Sequence, residues 1–157
     1  MEKKEDLLRE LREAFDETKK RLGFEASFED LDRAFRITDG VLSSDFISEE
    51  FSHQICARIV ENYMSWYNYL NGLLVPSSNF LASQTEASLF SGKEDREMIW
   101  ELIKKSMEFS TRHSLLGLRK DESEEAKFID DALTYWVQDF SPKLEIILKK
   151  SNEAWTN

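Results

Sequence analysis

Loop-forming and turn-forming residues are scarce in this chain. Of its 157 residues only five are glycine and two are proline. Folds built from strands and tight turns consume more of both, so the scarcity favours helices. The single cysteine, Cys56, excludes an internal disulfide. It sits inside an apolar helical pattern and is expected to be a small buried hydrophobe rather than a reactive thiol. Two histidines are too few for a three-histidine zinc site, unless a carboxylate completes the set. No apolar run approaches the roughly 18 residues that a membrane span requires. The opening stretch, MEKKEDLLRE, carries charge without an apolar segment behind it, so it does not read as a secretory signal. These absences point to the cytoplasm. There is also no glycine-rich phosphate loop and no Gly-x-Ser-x-Gly elbow.

Basic charge is in deficit too. Lysine and arginine number 21 against 31 acids, a formal net charge of −10. Nucleic-acid binding rests on neutralising phosphates, so the overall field repels DNA and RNA. It also repels anionic lipid and favours neutral or basic partners. The predicted partner is therefore a protein, or a second copy of this chain, with no nucleic acid and no membrane.

What is present describes one helical domain over residues 1–157, long enough to bury its own core. Leu7, Leu8, Leu11, Ala14, Phe15, Thr18 and Leu22 recur at three- and four-residue steps, a first amphipathic helix stopped by Gly23. Ser27 is an N-cap for a shorter helix with Phe28, Leu31 and Phe35 inward, ended at Asp39-Gly40. Val41 and Leu42 then belong to a linker. The stretch from Ser48 to Gly72 reads as one long central helix capped by Ser48. Phe51, Ile55, Ile59 and Tyr63 form one row, and Cys56, Val60, Met64 and Tyr67 the next.

Residues 73–92 are serine-rich and nearly uncharged. Ser83 with Glu86 fits a capping box for a short helix to about Phe90, with Phe80, Leu81, Leu89 and Phe90 as anchors. A crossing of this length is either structural or a lid. Ser91 with Glu94 is a second capping box, opening a helix that carries Ile99, Leu102, Ile103, Met107 (or Ser106) and Phe109 inward. Trp100 lies off that stripe, half exposed. This helix fades between His113 and Gly117. Asp121 caps the next, whose seam is Ala126, Ile129, Ala132, Leu133, Trp136, Val137 and Phe140. Ser141-Pro142 restarts the chain as a last helix using Leu144, Ile147, Leu148 and Ser151. About six helical segments, four of them long and mostly antiparallel, describe an all-α bundle with the 48–72 helix central.

Chemistry is sparse. Glu50 and His53 form a Glu-x-x-His pair, the unit that bundle di-iron sites use twice, but His113 has Ser110 at the matching position. The expected reading is a helix-start acid beside a hydrogen-bonded or exposed imidazole. Glu94, Glu97 and Glu101 lie on one helix, and Glu122, Glu125, Asp130 and Asp131 on the next. Facing acidic helices resemble the magnesium sites of the all-α nucleotide pyrophosphohydrolases, but the downstream Glu-x-x-Asp of that family is missing. Both sets of acids are expected on solvated faces at helix starts. No cofactor is implied.

The aromatic surplus remains: 11 phenylalanines, four tyrosines and four tryptophans. The Asn62–Asn71 window contains no charge, and Trp66, Tyr67 and Tyr69 cover much of its circumference. Either they fill a core or they meet another chain, since interface centres are rich in tryptophan and tyrosine. Trp155, near the C-terminus, either docks back or serves a partner. The function expected first is a non-enzymatic helical interaction or assembly module, self-association included. The alternatives are a small metal-dependent hydrolase or metal-binding bundle using inward carboxylates and histidine, and a small-molecule-binding bundle lidded by residues 73–92.

Overall fold

The computed structural model describes residues 1–156, and these form helices joined by short connections, with no strand among them. Nine α-helices follow in order: α1 (Glu2–Leu22), α2 (Phe28–Phe35), α3 (Ile37–Ser44), α4 (Phe51–Ser65), α5 (Tyr67–Leu74), α6 (Leu81–Ser88), α7 (Lys93–Arg119), α8 (Glu122–Tyr135) and α9 (Ser141–Thr156). A π-helical turn, Trp136–Phe140, joins α8 to α9. Helix α4 is the centre, with α7, α8, α1, α2 and α3 all packed on it, while α5 continues the same wall against α7 and α6. No helix among the described residues is long and apolar enough to cross a membrane.

Helix α1 forms as its periodicity requires. Leu11, Phe15 and Thr18 are buried, and Gly23 closes it in the left-handed region at φ 76°. That conformation costs glycine little, because there is no Cβ to clash. Phe15 meets Phe24 and Phe28 edge to face at 5.6 and 5.2 Å, pinning the α1–α2 turn. Ser27 caps α2 by accepting a hydrogen bond from the Asp30 amide at 3.1 Å.

Helix α2 ends earlier than Asp39-Gly40, at Arg36, which adopts a left-handed conformation at φ 54°. The segment predicted to be a linker is helix α3. The Asp32 carboxylate accepts from the Thr38 amide at 2.7 Å, a cap from outside the helix that local sequence does not announce. Arg58 completes the corner. Its Nε donates to the carbonyls of Phe35 at 3.0 Å and Arg36 at 3.2 Å. Gly40 makes room for this arm, since a Cβ there would stand 3.0 Å from Arg58 Nε.

The predicted 48–72 helix is two helices. Ser48 does not cap it: Ser48 Oγ accepts from the Glu50 amide, and its own amide donates to Gln54 Oε1 at 2.7 Å. The helix therefore begins at Phe51. It breaks at Trp66, where Ser65 Oγ donates to the Asn62 carbonyl at 2.6 Å. The Trp66 amide turns to Tyr63 instead, at 3.2 Å. A serine hydroxyl that competes for a helix carbonyl is a recognised cause of bending.

Three further boundaries depart from expectation. Helix α6 starts at Leu81 rather than Ser83, whose Oγ accepts from the Ser77 amide. Phe80 and Leu81 are not anchors but stand 66% and 79% exposed, whereas Phe90 is fully buried. Gly92, not Ser91, is the cap residue of α7. That helix runs past Gly117 to Arg119 before Lys120 turns left-handed. Finally, Ser141-Pro142 does not restart the chain. The Ser141 amide donates to the Trp136 carbonyl, five residues back, so the backbone widens and continues into α9. Proline lacks an amide hydrogen and its ring crowds the carbonyl four residues earlier, and a wider turn relieves that crowding. Asp121 caps α8 as expected, accepting from the Ser123 and Glu124 amides.

Aromatic packing holds the middle. Tyr63 is fully buried and its ring meets Phe109 at 4.9 Å, Phe140 at 5.0 Å and Trp136 at 5.6 Å. Truncating a buried aromatic of this kind to alanine costs about 3–5 kcal/mol.

Candidate functional site

The most unusual chemistry lies where the start of α4 faces the end of α7 and the start of α8. Glu125, expected on a solvated face, is buried, with only 7% of its side chain exposed. It sits one turn into α8, and that helix packs on both α4 and α7, so its inward arc is wider than a single stripe. Glu125 Oε2 accepts no hydrogen bond. Its nearest partner is His53 Nδ1, 3.4 Å away. A buried polar atom left without a partner costs free energy and asks for an explanation.

The His53 ring in turn stacks on His113, with centroids 4.9 Å apart. His113 Nδ1 is buried and also lacks a partner. Burial, and then the neighbouring His53, lowers the His113 pKa. Burial raises that of Glu125, His53 opposes the rise, and the carboxylates of Glu122 and Glu50 add to it. Behind these groups Cys56 points its thiol at the Glu125 carbonyl, 3.9 Å away. Burial, reinforced by the Glu125 charge, pushes that thiol well up and favours its protonated form.

In front of Glu125 lies a hollow of about 110 Å³. Glu50, His53, Gly117, Lys120, Glu122 and Glu125 line it. The Glu-x-x-His pair thus does meet a polar cavity, and a third group, Glu125, joins it from another helix. In the sequence Glu125 is one acid among four near a helix start, and nothing local separates it from its neighbours. No set of three or more metal-ligating side chains stands close enough, among the described residues, to hold an ion as arranged.

The other acids have ordinary employment. Glu97 and Glu101 lie exposed beside Lys93 and Lys104. Asp131 pairs with Arg112 at 2.8 Å. Asp130 is structural: its two oxygens accept from the amides of Glu25 and Ala26, both at 2.8 Å, tying the α1–α2 turn to α8.

The aromatic candidates lie elsewhere. Trp66, Tyr67 and Tyr69 are each half-buried against the core. The Tyr69 hydroxyl shares a 2.5 Å hydrogen bond with Ser151 of α9, and Trp66 meets the Tyr69 ring edge-on at 6.4 Å. Trp66 and Trp136 also flank a surface groove with Arg33, Arg36 and Arg58. Trp155 remains 53% exposed but donates from Nε1 to Glu86 of α6 at 2.8 Å. A further group of apolar side chains, Trp100, Met107, Leu115 and Leu118, stands outward on α7. Of these, only Trp100 was expected in the open.

No protein-family model, curated protein or solved structure matches this chain.

Proposed function

We propose that the chain is a non-enzymatic, cytoplasmic assembly module that pairs with a second copy of itself through the outward face of α7. The observation that carries this reading is the stripe just named. Trp100, Met107, Leu115 and Leu118 are 52%, 39%, 48% and 83% exposed. At about 100° of rotation per residue they fall within roughly a quarter of the helix circumference. Ile99, Leu102, Ser106 and Phe109 occupy the opposite side and face the core. Apolar side chains gathered on a solvent face mark interaction sites more often than scattered ones do.

A second copy is the occupant that fits. A two-fold contact requires one surface to complement itself. Trp100 and Leu118 stand equally far from Phe109 along the helix, on either side, as do Met107 and Thr111. Antiparallel pairing about that midpoint sets each Trp100 on the other copy's Leu118. The acidic surplus of the whole chain argues against nucleic acid as the partner.

Sedimentation equilibrium tests the reading. The wild-type chain is expected to dimerise reversibly, and W100E and L118E to be monomers with unchanged thermal stability, because both side chains are exposed in the single chain. A wild-type chain that stays monomeric up to millimolar concentration overturns it.

A further inference from the structure

We infer that the groove between the end of α2, the second half of α4 and the π-helical turn binds a small aromatic anion, a flat ring system carrying one carboxylate or phosphate. The groove measures about 540 Å³, within the range of small-molecule sites. Arg58, Glu61, Asn62, Ser65 and Trp66 supply one wall, since steps of three and four residues put them on a single face of α4 and its C-cap. Arg33 and Arg36 come from the end of α2, and Trp136 from the π-helical turn. No residue of α7 takes part, so this inference does not depend on the pairing proposed above.

Charge is the first reason. The chain as a whole carries −10, yet three guanidinium groups and one carboxylate line this groove. Arg58 is held in place by its Nε, which donates to the Phe35 and Arg36 carbonyls at 3.0 and 3.2 Å. Its Nη1 meets Glu61 at 3.2 Å, and Arg33 meets Asp30 at 3.3 Å. Both acids are more than half exposed, so these surface pairs hold their arginines weakly and yield to an entering anion. Arg36 is exposed and makes no ion pair among the described residues. A planar guanidinium fork matches the oxygens of a carboxylate or a phosphate two at a time.

The two indoles are the second reason. Arg58 and Trp66 are eight residues apart, about 12 Å along the helix axis, so the α4 wall is cationic at one end and aromatic at the other. Trp136 stacks on the buried Phe140 at 5.1 Å and meets Tyr63 edge-on at 5.6 Å, which fixes its plane. Trp66 is likewise half-buried against the core. Large rings held in this way stack a flat ligand with little further ordering. An inorganic anion would use the arginines alone, and a neutral ring the tryptophans alone. A groove that has both fits a ligand with a ring at one end and a negative charge at the other.

The probes are 1-naphthyl phosphate and 1-naphthoate, with neutral 1-naphthol for comparison. Calorimetry at low ionic strength measures binding. The indole N–H resonances of the four tryptophans locate it, with Trp100 and Trp155 assigned from W100F and W155F. At least one of the two anions is expected to bind saturably, one per chain, and about tenfold or more tighter than 1-naphthol. The tighter of the two tells phosphate from carboxylate. The Trp66 and Trp136 resonances should move, and those of Trp100 and Trp155 should stay. R33Q/R36Q should weaken binding by about tenfold or more, and R9Q on α1 should leave it unchanged. Arg33 and Arg36 are both exposed, so circular dichroism should show the double variant folded. Saturable binding by neither anion overturns the inference. So do equal shifts at all four indoles, or wild-type binding by R33Q/R36Q, each of which would mark adventitious contact with an aromatic probe.

Discussion

The Tyr63 hydroxyl donates to the Ala132 carbonyl at 2.7 Å, fastening the last turn of α4 to the last turn of α8. Both residues are fully buried, and the tyrosine ring is enclosed by Phe35, Phe109, Trp136 and Phe140. The carbonyl keeps a helix partner, the Trp136 amide, when the phenol is lost. Y63F should therefore cost only about 0.5–1.5 kcal/mol. Y63A removes the ring as well and should cost about 3–5 kcal/mol. Equilibrium urea denaturation separates the two. Equal losses would mean that the hydroxyl, not the ring, is what the core depends on.

Arg58 and Gly40 make a prediction whose sign changes with background. Glycine inside a helix is worse than alanine by about 1 kcal/mol, so G40A alone would ordinarily stabilise α3. Here the new Cβ stands 3.0 Å from Arg58 Nε and displaces the arm that caps Phe35 and Arg36. G40A should destabilise the wild-type chain and stabilise R58A. A double-mutant cycle measures the coupling, and additivity within about 0.5 kcal/mol would show the two sites to be independent.

Alkaline pH should loosen the bundle. Burial, then the carboxylates of Asp139, Glu101 and Glu108, push the Tyr135 phenol up to about 12, and burial raises Tyr63 further. An unfolded phenol ionises near 10. The folded chain thus holds protons that the unfolded chain loses, and the contribution is complete below pH 10 and lost as pH rises through the folded value. Urea midpoints measured from pH 8 to 11.5 should fall above pH 10, and less steeply in Y135F. A midpoint that does not fall would contradict the burial assigned to these phenols.

Cys56 offers a probe of opening. Its side chain is fully buried beside Glu125, and burial holds the thiol protonated. A thiol-specific disulfide reagent should leave the native chain unmodified and react stoichiometrically in denaturant. Its slow native-state rate should rise in parallel with the destabilisation of Y63A. Rapid labelling of the native chain would place Cys56 at the surface.

Much of the fold is legible in the sequence because the deciding interactions are local. The Leu11–Phe15–Thr18 stripe, the left-handed stop at Gly23 and the caps at Ser27 and Asp121 all depend on residues within one turn. Capping signals failed where the same serine had a competing partner. Ser48 bonds back to the Glu50 amide, Ser83 accepts from Ser77, and neither opens a helix. The long central helix failed for a similar reason, because one hydroxyl at Ser65 redirects the Trp66 amide.

The candidate site was half legible. Glu50 and His53 are a visible pair, since their spacing sets them on adjoining turns of backbone. Glu125 and Phe128 were hidden, because α8 is covered by two helices rather than one and its buried arc is correspondingly broad.

By itself the chain of residues determined an all-helical bundle built around the 48–72 segment, through apolar periodicity and the scarcity of glycine and proline. Only the tertiary structure decided which charged side chain would be taken inside and which apolar face would be left outside. Periodicity records how one helix divides into faces, but burial is set by how many neighbours arrive. Those neighbours come from distant parts of the sequence.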